Sequence, residues 1–196
     1  MNPSTNGNST GLRNGQSSKL GPGVFALVIY VPDPLGRFLD DLRRDLVPHY
    51  NPRAHVSVLP PRSLSVEWQI ASSQLRALSE SWRPFEVELT RIAVFPVTNV
   101  IYLELGEGAE ELRRMHAKAS RALAFDEPFA FHPHVTLAQE ILPERVEEMR
   151  ERAEHLWREY QGPRRFHADR AIFVQSVPDN CWVDLAEYPL GVPVAR

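Results

Sequence analysis

The 196-residue chain has one cysteine, Cys181, so an intramolecular disulfide is impossible and a structural zinc–thiolate site is disfavoured. No stretch approaches the ~20 consecutive apolar residues that a membrane-spanning helix requires. The N-terminal segment also lacks the apolar core of a secretory signal. There is no Gly-x-Ser-x-Gly elbow, no P-loop and no Rossmann glycine cluster, which argues against a serine hydrolase, an NTPase and a dehydrogenase. Positive charge is not in excess either: 22 Lys and Arg stand against 25 Asp and Glu, a formal net charge of −3. No global field therefore draws in a long nucleic acid, although a cleft can still be locally positive. Together these absences predict a cytoplasmic protein with no membrane association and no duplex DNA partner. Cys181 lies in the apolar run Cys181-Trp182-Val183, where a plain buried thiol is expected.

What is present is ordinary for a globular domain, with 43% hydrophobic and 24% charged residues. The length suits one moderate domain or two intimately packed lobes, and a monomer is expected. Met1 to Gly21 is rich in Asn, Ser, Thr and Gly and has little to bury, so it reads as a disordered tail ahead of an ordered domain over residues 22–196.

That domain opens on Val24 to Val31, a continuous β-branched and aromatic run that reads as a buried strand stopped by Pro32 and Pro34. Leu35, Phe38, Leu39, Leu42 and Leu46 are spaced for one face of a helix, ended by Pro48. A short strand over Ala54 to Leu59 is expected to close at Pro60-Pro61. Ala71, Leu75, Leu78 and Trp82 suggest a second helix. Phe85 to Leu89 alternates like a half-buried strand; the pattern slips near Arg91, as a bulge would make it do, before Ile92 to Phe95. Pro96 and Asn99 mark a turn into a partner strand, Val100 to Leu105. Leu112 to Leu123 carries a third helical stripe, and Val135 to Ala138 a further strand. Pro143 takes the first position of a fourth helix, and Phe166–Gln175 with Cys181–Glu187 reads as a closing strand pair. Several strands join through hairpins, which favours α+β over a doubly wound parallel sheet. Each half also places a helix, a short strand beginning with His, and another helix, a hint of two related lobes.

The two matching strands are His55-Val56-Ser57-Val58 and His134-Val135-Thr136-Leu137. Side chains at i and i+2 share a face of a strand, so His55 points with Ser57 and His134 with Thr136. Brought together across a cleft, two imidazoles and two hydroxyls suit phosphoryl transfer without a metal or other cofactor. One neutral imidazole takes a proton from the attacking water or hydroxyl, and the other, protonated, gives one to the leaving oxygen. Histidine fits both roles because it titrates near neutrality. Ser57 and Thr136 can donate hydrogen bonds to the non-bridging oxygens.

Other histidines carry weaker signals. His132 and His134 are spaced as a metal-binding pair, but no nearby carboxylate or cysteine completes a set, so His132 reads as a cleft-edge or structural residue. His49, His116, His155 and His167 lack a hydroxyl two residues on, and His116 and His155 fall on helices where structural roles dominate. Tyr30 and Tyr102 lie in strands and could stack a base at the cleft, or belong to the core.

At these residues the chain resembles the two-histidine phosphoesterase superfamily, in its 2′-5′ RNA ligase and cyclic phosphodiesterase branch. The most specific stretch is Phe131-His132-Pro133-His134-Val135-Thr136-Leu137-Ala138; Val94-Phe95-Pro96, Val100 to Leu103 and Leu112 to His116 are similar to the family's middle section. The resemblance runs from about Val24 onward. It implies two pseudo-symmetric lobes, each an antiparallel-rich sheet with flanking helices, and a catalytic cleft between them. It also implies cofactor-free action on 2′,3′-cyclic phosphate ends of nucleotides or RNA, or on 2′-5′ linkages. The implied roles are acid and base for His55 and His134, with His134 activating water and His55 protonating the leaving 3′ oxygen, and phosphate binding for Ser57 and Thr136. Two departures bear on substrate: Gln139 stands where many relatives carry arginine, and the first motif runs into Leu59-Pro60-Pro61-Arg62, whose Arg62 could supply the missing charge. The alternatives are a non-catalytic nucleotide or RNA-end binding module, and a phosphoesterase acting on a 2′-5′ oligonucleotide or a small metabolite.

Overall fold

A computed structural model describes residues 23–48, 53–125, 130–178 and 181–191. The expected tail, Met1 to Gly21, lies outside the described residues. Within them the chain builds β1 (Val24–Tyr30), α1 (Leu35–Leu46), β2 (His55–Ser63), α2 (Trp68–Ser79), β3 (Phe85–Val94), β4 (Ile101–Leu105) and α3 (Ala109–Ala122). Then follow β5 (His134–Ala138), α4 (Val146–Glu159), β6 (Arg165–Ala168), β7 (Arg170–Val177) and β8 (Cys181–Pro189). No helix among the described residues is long and apolar enough to cross a membrane.

The strands form two four-stranded sheets, ordered β2-β1-β7-β8 and β5-β4-β3-β6, with every pairing antiparallel. This is the expected α+β architecture of two related lobes. Each sheet carries its His-x-Ser/Thr strand, β2 or β5, at one edge, and β2 and β5 lie against each other. The helices cross over: α1 packs against β5 and α4, while α3 packs against β2 and α2. Each lobe's helix thus supports the motif strand of the other.

The uninterrupted apolar run of β1 is explained by burial on both faces. Phe25, Leu27 and Ile29 enter the main core, while Ala26 and Val28 join Ile172 and Val174 in a second apolar cluster on the opposite face. In α1 the buried Leu35, Leu39, Leu42 and Leu46 form the predicted stripe. The slip near Arg91 is a register shift between Leu89 and Ile92 within one continuous β3. At the following turn Asn99 adopts a φ of 57° and donates its N–H to the Phe95 carbonyl at 2.9 Å.

Four expectations need correction. β2 does not close at Pro60-Pro61 but runs on to Ser63, with register shifts against β1; at a sheet edge the missing proline N–H leaves no ladder bond unmade. The expected strand Phe166–Gln175 is two strands in different sheets, since β6 pairs with β3 and β7 with β1, and the chain crosses between lobes at Asp169. Pro143 opens a 3-10 turn, Pro143–Arg145, that leads into α4 rather than the helix proper. Cys181 is exposed, because it is the first residue of the edge strand β8.

Where α1 starts, the backbone passes so close to the end of β1 that a Cβ on Gly36 would lie 2.2 Å from the Val31 carbonyl oxygen. Gly36→Ala should therefore lower stability by about 1–3 kcal/mol despite alanine's better helix propensity. Urea unfolding measures this, and an unchanged midpoint would refute the close approach.

Candidate active site

The strand ladder brings the predicted residues to one face. His55 lies opposite Tyr30 across β2–β1, and Ser57 opposite Val28. His134 lies opposite Glu104 across β5–β4, and Thr136 opposite Tyr102. His55, Ser57, His134 and Thr136 are all half-buried, while Val56, Val58, Val135 and Leu137 between them are fully buried. This is the alternation that the paired motif predicts.

Both imidazoles are held in the same way. Nδ1 of His55 is 2.6 Å from the Arg53 carbonyl oxygen, and Nδ1 of His134 is 2.7 Å from the His132 carbonyl oxygen. A carbonyl only accepts, so each Nδ1 carries the hydrogen and each Nε2 is left as the proton-exchanging atom. Burial lowers both pKa values. His55 is pushed down to about 4 by burial and, secondly, by the Arg43 guanidinium, with a smaller contribution from His134. His134 is lowered by burial, partly opposed by its hydrogen bond to His132.

The backbone just upstream of each imidazole is itself fixed. Ala54 N–H donates to Asp40 Oδ1 at 2.7 Å, and the fully buried Arg43 reaches the same oxygen at 3.4 Å, tying α1 to the start of β2. On α3, buried His116 donates from Nδ1 to the Val58 carbonyl at 2.8 Å and stacks on Phe131 with ring centroids 3.8 Å apart. His116 therefore links β2 to the segment entering β5. Its helical position pointed to a structural role, and that is where the structure places it.

The remaining candidates are placed differently. Tyr102 is 5% exposed and stacked on Phe95 at 4.0 Å, so its ring offers no platform for a base. Tyr30 donates its hydroxyl to Asp184 at 2.7 Å, and the Arg53 guanidinium lies over its ring at 4.0 Å, covering one face. Burial and then the Asp184 bond raise the Tyr30 pKa, which keeps the phenol a donor. Arg62 lies opposite Phe25 in the ladder, with its guanidinium over the Phe125 ring at 4.5 Å. Gln139 is exposed one residue beyond β5. His132 is wedged edge-on against Phe95 and Tyr102, and its ring lies 6.3 Å from that of His134. Among the described residues, no three or more His, Cys, Asp or Glu side chains cluster as metal ligands.

Sequence reasoning missed Arg53, Phe95 and Glu104. Phe95 meets the His134 ring edge-on at 5.0 Å, and Glu104 faces His134 while paired to Arg91 at 2.5 Å. Phe95 belongs to Val94-Phe95-Pro96, a stretch similar to the family's middle section. Arg53 and Glu104 gave no signal, since a charged residue beside a strand reads as solvated surface.

A protein-family model for the 2′-5′ RNA ligase superfamily matches residues 31–180. A provisionally named phosphoesterase of Bacillus licheniformis is 32% identical over 127 residues, covering 60% of this chain and 71% of its own. Another from Geobacillus kaustophilus is 24% identical over 127 residues, covering 60% and 69%. Among solved structures, E. coli LigT in apo form superposes with a TM-score of 0.59 at 15% identity, covering 87% of this chain and 99% of LigT. E. coli LigT complexed with phosphate gives a TM-score of 0.57 at 16% identity, covering 86% and 98%. At such identities the likeness to solved structures concerns the fold.

The lowered His55 pKa has a consequence for stability. A neutral buried histidine contributes fully above its unfolded pKa of about 6.5, and that contribution is lost as pH falls from there towards about 4. Relative to His55→Gln, the wild type should lose up to ~3 kcal/mol between pH 7.5 and pH 4. Parallel denaturation curves for the two proteins across this range would contradict the burial assignment.

Proposed function

The chain belongs to the 2′-5′ RNA ligase superfamily of two-histidine phosphoesterases, and from that membership we propose a metal-independent phosphodiesterase that opens 2′,3′-cyclic phosphates on nucleotide ends. The family supports a phosphoesterase or RNA-ligase-like enzyme. The observation that carries the finer reading is the matched pair of imidazoles, each with Nδ1 bonded to a backbone carbonyl and Nε2 left for proton transfer. That E. coli LigT is known in complex with phosphate fits a phosphate-centred site on this fold.

In the proposed reaction the cyclic phosphate lies between the two dyads. The Ser57 and Thr136 hydroxyls donate to its non-bridging oxygens, which gain charge as water attacks phosphorus. One Nε2 removes the water proton, the P–O3′ bond breaks, and the other Nε2 delivers its proton to O3′, leaving a 2′-phosphate. In the free protein the proton distribution favours His55 as base, because burial and Arg43 both keep it neutral. His134 is then the acid, the reverse of the order that the family resemblance suggests.

Both histidines have lowered pKa values, so kcat/KM should peak below about pH 6.5. It falls above that pH as the acid loses its proton, and falls again near pH 4 as His55 gains one. A profile that stays flat to pH 8 would contradict the assignment. His55→Ala and His134→Ala should each lose roughly 10²–10⁴-fold in turnover of a nucleoside 2′,3′-cyclic phosphate. Wild-type turnover should persist in EDTA and the variants' circular dichroism should be unchanged. Substantial activity in both variants would sink the mechanism.

A further inference from the structure

The charges lining the cleft face carry information about the size of the substrate. This inference rests on the cyclic-phosphate reading and deepens it. Where β1 ends is a cavity of about 290 Å³ whose lining includes Tyr30, Arg53, Arg170, Ile172, Asp184 and Glu187. Two of its lining residues neighbour His55: Tyr30 is its ladder partner, and Arg53 supplies the carbonyl that the imidazole binds. Its volume lies just below the usual range for small-molecule sites, roughly 300–1,000 Å³. One ring system and a sugar are a better match than a chain.

The arginines on this face are largely spent on carboxylates. Arg170 pairs with Asp169 and Glu187 at 2.9 and 2.7 Å. Across the cleft, Arg91 pairs with Glu104 at 2.5 Å, and Arg165 with Glu88 and Glu107 at 3.3 and 2.6 Å. His167 is bonded to Glu86 at 2.7 Å. Asp184 adds a further negative charge whose hydrogen-bond partner is a neutral phenol. Arg53, in contrast, enters no ion pair among the described residues and lies over Tyr30 next to His55. One phosphate anion between the dyads therefore meets a guanidinium and two imidazoles. Any further phosphate along a chain meets walls on which these carboxylates outnumber the guanidiniums.

We propose that this cleft takes a phosphodiester of mononucleotide size bearing a single phosphate, and rejects longer ribonucleotide chains by charge. The cavity lined by Tyr30 and Arg53 receives the non-phosphate half, whose N–H or O–H donors meet Asp184 and Glu187. Proteins that hold nucleic acid through phosphate contacts lose affinity as salt is added. Here the dependence on salt has the opposite sign for a chain and is weak for the monomer.

The test compares kcat/KM for adenosine and guanosine 2′,3′-cyclic phosphates with that for hexaribonucleotides ending in the same cyclic phosphates. Salt is varied from about 0.01 M to about 1 M, over which the Debye length falls from roughly 30 Å to 3 Å. The monomers should lead by roughly 10-fold or more at low salt, and the gap should close as salt rises. The double variant Asp184→Asn, Glu187→Gln should shift the low-salt ratio towards the hexamers, a change that a general folding defect would not produce. Hexamers preferred at low salt, with an advantage that fades on adding salt, would overturn the proposal. Binding of adenosine 2′-monophosphate against a hexamer ending in a 2′-phosphate, measured on His134→Ala, reads the same preference without turnover. Absent turnover with the monomer still bound more tightly would sink the phosphodiesterase reading alone; tighter hexamer binding would sink this one.

Discussion

Two hydrogen bonds decide what this site can do: those from Nδ1 of His55 and His134 to the carbonyl two residues upstream. Each fixes a tautomer and an orientation together, and each leaves a single nitrogen for chemistry. Such a bond is only as precise as the backbone carrying its acceptor, and the surroundings of both acceptors are tethered. Asp40 on α1 holds the N–H of Ala54, between Arg53 and His55. His116 on α3 holds the Val58 carbonyl and stacks on Phe131, the neighbour of His132. Because α3 packs on β2, and α1 on β5, neither lobe can shift its motif strand without disturbing a helix of the other. Preorganisation of the imidazoles is thus a property of the crossed helices rather than of either sheet alone.

How far the sequence foretold this depends on the range of the interaction. The dyads were legible because strand periodicity is local: His-x-Ser and His-x-Thr place both polar groups on one face whatever the strand pairs with. The α1 stripe and the bulge near Arg91 were legible for the same reason. Register between strands is not local, so nothing in the sequence placed Tyr30 opposite His55 or Glu104 opposite His134. The split between β6 and β7 was hidden because Phe166 to Gln175 reads as one strand until its two halves are seen to pair with β3 and β1. Pro60 and Pro61 looked like a stop signal, yet an edge strand has an outer row of positions where a missing N–H does no harm. Arg62 follows the motif closely enough to suggest a role, and nothing local in the sequence shows that its guanidinium lies over Phe125.

The two lobes repeat a backbone plan but not a chemical environment, and the difference matters for the proposed acid–base pair. Two imidazoles in identical surroundings would bind protons equally well, and neither would be favoured as base or acid. Here the symmetry is broken by the neighbours. His55 has Tyr30 across from it, the Arg43 cation nearby and a pKa pushed down to about 4. His134 has Glu104 across from it and Phe95 and Tyr102 against its ring, and its pKa is lowered by burial with no arginine acting on it. A cation near His55, with none acting on His134, biases a shared proton towards His134. A phosphate arriving between them would draw both imidazoles towards protonation, yet the bias between them would persist because its sources lie in the lobes and not in the ligand. In the proposed reaction the broken symmetry, more than the symmetry, is what gives the pair a direction.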